Sequence, residues 1–271
     1  MMFRSILIIS VIVASAIGIF FPVSASAEQV SISGEELLST VSNAVSDALV
    51  EADTNLTEIA GAFSVTDSKK TTADAIIGKN RIENPGWGGV VLLADGTTLT
   101  SLNTSLIPDP LNEAVLKDKA VTDSITYLKP KMSKDRIVGN SVQAIMISRP
   151  AIVNDKAGAA IGFMVPAQYL NGIVQPLIND TDAMSLVMQD DGTILYASSP
   201  MELTKIPPEN ILTEAPTYRD VKNAMMTEKS GHMIYEFWHG DQNDPRAREA
   251  YWNTVSLHGT EWRVLVAPAI R

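Results

Sequence analysis

Few side chains in this chain are of a type and spacing that could do chemistry. The three histidines, His232, His239 and His258, all fall in the second half. A metal site wants two or three His or carboxylate ligands at helix or strand spacing, each with a fixed tautomer. His239 with Asp241 and Asp244 comes nearest, but Gly240, Asn243 and Pro245 make that stretch read as a turn. No metal is expected. Asp190 and Asp191 are adjacent, so on a strand they point to opposite faces and cannot share acid–base work. Asp180 and Asp182 share a face but sit beside a turn. There are no cysteines, which excludes disulfides, thiolate catalysis and Cys-ligated clusters. No G-x-S-x-G, H-E-x-x-H, P-loop or G-x-G-x-x-G is present. The expectation is a protein that is not an enzyme and carries no cofactor.

Binding is the better search. Arg149 lies in an otherwise apolar run, and is the only charged residue between Gly139 and Asp155. A buried unpaired guanidinium is costly, so it must reach solvent, a protein carboxylate or a ligand. It could clamp an anionic ligand in two-pronged fashion, or blunt a sheet edge. Trp87, Ser101, Asn103, Tyr127 and Ser148 are the other polar or aromatic groups on strands of the first half or at their ends. Ligand pockets combine apolar walls with a few such groups. Tyr196, Trp238, Tyr251, Trp252 and Trp262 concentrate the aromatics in the second half. That half reads as well filled, which places the candidate pocket, with Arg149, in the first.

These residues need elements to hold them. From Ser33 to Phe63, Leu38, Val41, Val45, Ala48, Ala52, Leu56, Ile59 and Phe63 recur at steps of three and four. The spacing predicts one amphipathic helix of about 45 Å, with Glu36, Asn43, Asp47, Asp53 and Thr57 on its other faces. Ser33 followed by Glu36 reads as a capping box. A helix this long serves either a long partner or two domains stacked along it.

Before the helix, Arg4, the apolar run Ile6 to Phe21, Pro22 and Ala25-Ser26-Ala27 read as a signal peptide cleaved after Ala27, with an uncleaved anchor as the alternative. Removing residues 1–27 takes away one base, leaving 20 Lys and Arg against 31 Asp and Glu, a net charge of −11. Such acidity argues against nucleic acid or anionic lipid as the main partner.

Two halves of the chain echo each other. Leu92 to Leu99 and Met188 to Leu195 both read apolar-x-x-Asp-Gly-Thr-x-Leu, with Asp95 and Asp191 offset by 96 residues. Asp-Gly between apolar runs signals a hairpin. A helix candidate near Leu111 to Ala120 and a short strand around Ile125 to Leu128 follow the first copy. Val142 to Val153 and Gly158 to Val165 form a further hairpin, and Ala167 to Ile178 returns to helical spacing. Tyr218 to Glu228 reads as a helix. His232 to Trp238, Glu249 to Leu257 and Trp262 to Ala267 read as strands. The class is α+β, two tandem antiparallel-sheet domains with helices set apart from the sheets.

Leu93-Ala-Asp-Gly-Thr, Ile147-Ser-Arg-Pro-Ala-Ile with Gly158-Ala-Ala-Ile-Gly, the stretch Met188 to Pro200, and Gly259-Thr-Glu-Trp-Arg-Val-Leu-Val stand in an order that resembles the double Cache (tandem PAS-like) extracellular sensor family. The resemblance implies a spine helix over 28–66, a first PAS-like domain over 67–178 of the membrane-distal type, and a second over 179–271. It implies capture of a small extracellular molecule, signal transduction through a membrane partner, and a homodimer through the N-terminal helix. It also implies an exported, extracellular or periplasmic location. No kinase, methyl-accepting or cyclase module is recognisable, and neither is the Tyr–Arg–Trp–Tyr–Asp pattern of the amino-acid-binding branch. The expectation is a ligand-binding sensor module without its own output domain. A secreted enzyme or surface structural protein reusing PAS-like domains is the alternative.

Overall fold

The computed structural model describes residues 32–65, 88–93, 98–101, 119–133, 137–139, 142–199, 216–238 and 245–270. It begins with α1, Gly34–Val65, one unbroken helix of 32 residues. Ser33 starts it: the Glu36 N–H donates to Ser33 Oγ at 3.2 Å, satisfying one orphan donor of the first turn. Leu37, Val41, Val45, Leu49, Ala52, Leu56, Ala60 and Phe63 form its buried stripe. Leu37, Leu49 and Ala60 thus take deep positions expected for Leu38, Ala48 and Ile59, while Leu38 and Ile59 pack at the margin. A helix flanked by two sheets buries a band rather than a line. The same rotation turns Asp53, expected on a polar face, inward, with 13% of its side chain exposed.

The first sheet contains β1 (Gly88–Leu93), β2 (Thr98–Ser101), β3 (Lys131–Met132), β4 (Ile137–Gly139), β5 (Val142–Val153) and β6 (Lys156–Pro166). Their order is β2-β1-β6-β5-β3, with β4 also paired to β5. Asn154 and Asp155 close the β5–β6 hairpin, both at positive φ (52° and 59°), as a two-residue turn matched to strand twist requires. Helix α2, Lys119–Tyr127, packs on this sheet and corrects the expectation of a strand at Ile125 to Leu128. Ala120, Val121 and Ser124 are its buried residues, and this helical spacing outweighs the β-branched character of the segment.

Helix α3, Gln168–Ile178, leads to the second sheet: β7 (Ala183–Gln189), β8 (Ile194–Ala197), β9 (Gly231–Trp238), β10 (Pro245–Leu257) and β11 (Thr260–Pro268). Helix α4, Tyr218–Thr227, precedes β9, and Thr217 starts it by donating its N–H to Asp220 Oδ2 at 2.7 Å. The strand order β8-β7-β11-β10-β9 repeats β2-β1-β6-β5 of the first sheet. The Asp-Gly echo in the sequence is therefore an echo of topology. All pairings between named strands are antiparallel.

One core joins the two sheets. The α1 stripe packs on Ile147, Ile161 and Phe163 of the first sheet and on Val187, Trp262 and Val264 of the second. The opposite faces are covered separately, by α2 on the first sheet and by α4 on the second. The fold is α+β, a long N-terminal helix with two antiparallel sheets.

Candidate functional site

Strand β5 alternates between two environments, as its pleat demands. Ile145 and Ile147 join the α1 core, whereas Ala144 and Met146 face α2 with Ala160 and Met164 of β6. Ser148, on the α2 side, is fully buried and donates its hydroxyl to the Ala120 carbonyl at 2.5 Å. Opposite Ser148 in register stand Gly162 on β6 and Lys131 on β3. On the described strands β5 and β6, the outer face of the first sheet is thus built from small side chains and methionine. On α2, the Ser124 hydroxyl is buried with no hydrogen-bond partner among the described residues.

Lys131 marks the edge of this face. Its Nζ lies 5.3 Å from the centroid of the Tyr127 ring, a cation–π distance, and Tyr127 is 59% exposed. Two of the expected residues, Tyr127 and Ser148, are therefore brought to one region together with Lys131, which the sequence reading had passed over. Only the pairing of β3 with β5 reveals Lys131, because two residues of strand carry no periodicity. Ser101 ends β2, where its backbone pairs with Gly89. Trp87 and Asn103 lie outside the described residues, as do His239, Asp241 and Asp244.

Arg149 does not share this face. It points to the α1 side, where Nε donates to Asp53 Oδ1 at 2.7 Å and Nη2 to Oδ2 at 2.5 Å. Of its three destinations, the guanidinium takes the protein carboxylate, and Ser148 and Arg149 cannot line one pocket. His258, in the turn between β10 and β11, places Nε2 2.7 Å from Asp53 Oδ1. An ionised carboxylate only accepts, so Nε2 carries the hydrogen. Burial works to raise the Asp53 pKa, but hydrogen bonds and charge from Arg149 and His258 outweigh it and hold the carboxyl below its usual 3.8.

Two other regions bear on function. An apolar cleft between α1, α3 and the sheets is walled by Val45, Leu49, Val165, Tyr169, Leu195 and Trp262. The outer face of the second sheet is filled by Tyr235, Phe237, Trp252, Met184 and Met188 against Val221 and Met225 of α4. Gly231 is required there, because a Cβ would stand 2.1 Å from the Trp252 ring. Arg263 donates Nε to the Met225 carbonyl at 3.0 Å, closing the end of α4. Among the described residues no group of three His, Cys, Asp or Glu side chains could hold a metal ion, and no helix is long and apolar enough to cross a membrane.

No known family profile matches the chain, and no curated protein sequence does. Solved structures do. The ligand-binding domain of the Campylobacter jejuni chemoreceptor Tlp3, in complex with L-norvaline, aligns over 87% of this chain and 89% of its own, with TM-score 0.60 and 12% identity. The ligand-binding domain of the Pseudomonas aeruginosa amino-acid chemoreceptor PctB, in complex with L-Arg, aligns over 87% and 93%, with TM-score 0.56 and 14% identity. An extracellular ligand-binding receptor from Desulfohalobium retbaense aligns over 87% of this chain, with TM-score 0.60 and 14% identity; the chain spans 40% of that receptor. The chain shares the fold of these domains, a long N-terminal helix with two antiparallel sheets.

Proposed function

We propose that this chain is an exported, extracytoplasmic sensor module of the double Cache type. It captures a small molecule over the outer face of its first sheet and presents the bound state to a membrane signalling partner. The observation that carries the reading is the fold, which follows chemoreceptor ligand-binding domains along 87% of the chain. The small-residue face edged by Tyr127 and Lys131 supports the choice of sheet, and Ser148 joins the proposed set where α2 moves off its hydroxyl. Among the described residues Lys131 has an aromatic ring rather than a carboxylate beside it, so its ammonium suits a ligand carboxylate. Trp87, Ser101 and Asn103 complete the proposed ligand set. The module binds rather than turns over its ligand, and the division at residues 178 and 179 separates its two PAS-like halves. Cleavage after Ala27 and pairing of two copies through α1 belong to the same proposal.

A thermal-shift screen against amino acids and small carboxylic acids tests it. A ligand bound by the native state alone stabilises by about 2.7 kcal/mol at a hundred times its Kd. At least one carboxylate compound is expected to raise Tm, and Lys131→Ala is expected to abolish that rise without changing the ligand-free Tm. No shift with any compound would overturn capture of this ligand class. A shift that survives Lys131→Ala would overturn the place assigned to it.

A further inference from the structure

Asp53 gathers three elements on one carboxylate. Arg149 comes from the first sheet and His258 from the second, 96 and 205 residues away along the chain. His258 and Gly259 form the β10–β11 turn at φ 52° and 83°. Asn, Asp or Gly ordinarily fills the first position of such a turn. A histidine at positive φ is uncommon and persists where its surroundings fix it. Here the ring is fixed on Asp53. Two residues on, Thr260 Oγ1 donates to the Met132 carbonyl of β3 at 2.8 Å. The same hairpin tip therefore grips α1 and the first sheet at two points. Met132 in turn pairs with Ile147 of β5, two residues from Arg149.

These contacts close a circuit: β5 through Arg149 to Asp53, Asp53 to His258, His258 along the tip to Thr260, and Thr260 through Met132 back to β5. We propose that the circuit is a latch through which the position of β5 sets the seating of the second sheet's hairpin tip. The mechanism is positional. Arg149 holds both Asp53 oxygens, which fixes the carboxylate where the His258 N–H can reach it. Among the described residues Arg149 makes no hydrogen bond to the tip itself, so its side chain acts on the tip through Asp53. The latch is a property of the ligand-free protein and stands whether or not a ligand binds over Ser148.

Amide hydrogen exchange on the full folded chain reads the coupling, because local opening sets the exchange rate of each segment. In Arg149→Gln, exchange at His258 to Glu261 is expected to quicken about tenfold, a change of ~1.4 kcal/mol in local opening. Circular dichroism confirms that the variant is folded. Unchanged exchange at the tip in folded Arg149→Gln would overturn the latch, leaving two independent local contacts. Should Arg149→Gln fail to fold, His258→Asn keeps a residue suited to positive φ and is read at the other end, Lys131 to Ser133. Faster exchange there supports the latch, and wild-type rates there overturn it.

Discussion

The two sheets repeat one strand order but differ on their outer faces. Over the second sheet, Tyr235, Phe237 and Trp252 pack with Met184, Leu186, Met188 and Leu265 against Val221 and Met225 of α4, and Arg263 and the Trp252 indole N–H, the latter 3.3 Å from the Glu228 carbonyl, bind the helix end. Over the first, on the described strands β5 and β6, Ala144, Ala160, Gly162 and Ser148 occupy the matching surface, with Met146 and Met164 between them. Aromatic side chains bury 150–250 Å² each and dominate core energetics. A face given to them is spent on stability, whereas a face of small residues leaves its surface to whatever packs on it. The same topology thus serves once as a foundation and once as the candidate site.

The largest effect that would test this contrast is Trp252→Ala. It removes a 2%-exposed indole and is expected to cost about 3–5 kcal/mol, read by urea denaturation. A cost near zero would mean that the second face is not the packed one.

Asp53→Asn comes next and addresses the inner side that both sheets share. Loss of the charge-assisted bonds to Arg149 and His258 is expected to cost about 1.5–3 kcal/mol at neutral pH. The folded carboxyl titrates below its usual 3.8, so its contribution is complete above that value. It is lost as pH falls through the lower, folded value. Wild type is therefore expected to lose stability in the acid range faster than Asp53→Asn, and parallel pH profiles would remove Asp53 as a source of acid sensitivity.

The smallest effect sharpens the comparison directly. Ala250 and Ala160 are both fully buried, on the second and first outer faces. Ala250→Leu is expected to overpack its face at about 1–3 kcal/mol. Ala160→Leu is expected to cost less than Ala250→Leu and to abolish any ligand-induced rise in Tm. Equal costs would show the two faces to be equally filled.

Much of the fold was legible because it rests on local rules. The α1 stripe, the positive-φ pair Asn154 and Asp155, and the turn at Asp191-Gly192 each announce themselves within a few residues. The helical state of α2 escapes local reading because Ile125 to Leu128 is short and β-branched, and the burial of Ala120 and Val121 against the sheet decides it. The site was less legible. A helical wheel places Asp53 among polar neighbours, and only partners brought in from 96 and 205 residues away turn it inward. Arg149 was recognisable as a residue in need of a partner, but alternation along β5 cannot say which face carries the carboxylate. Lys131 became visible only with the register of β3.

The unbroken stripe of α1 has a consequence for cooperativity. Val41, Val45, Leu56 and Phe63 belong to one apolar cluster that takes in side chains of both sheets. Neither sheet can release the helix without exposing surface that the other also uses, so calorimetry should find one transition whose van't Hoff and calorimetric enthalpies agree. A fragment ending at Ile178 would keep the helix and lose half of what covers it. Dividing the chain there separates two sheets, but the helix makes them a single unit of folding.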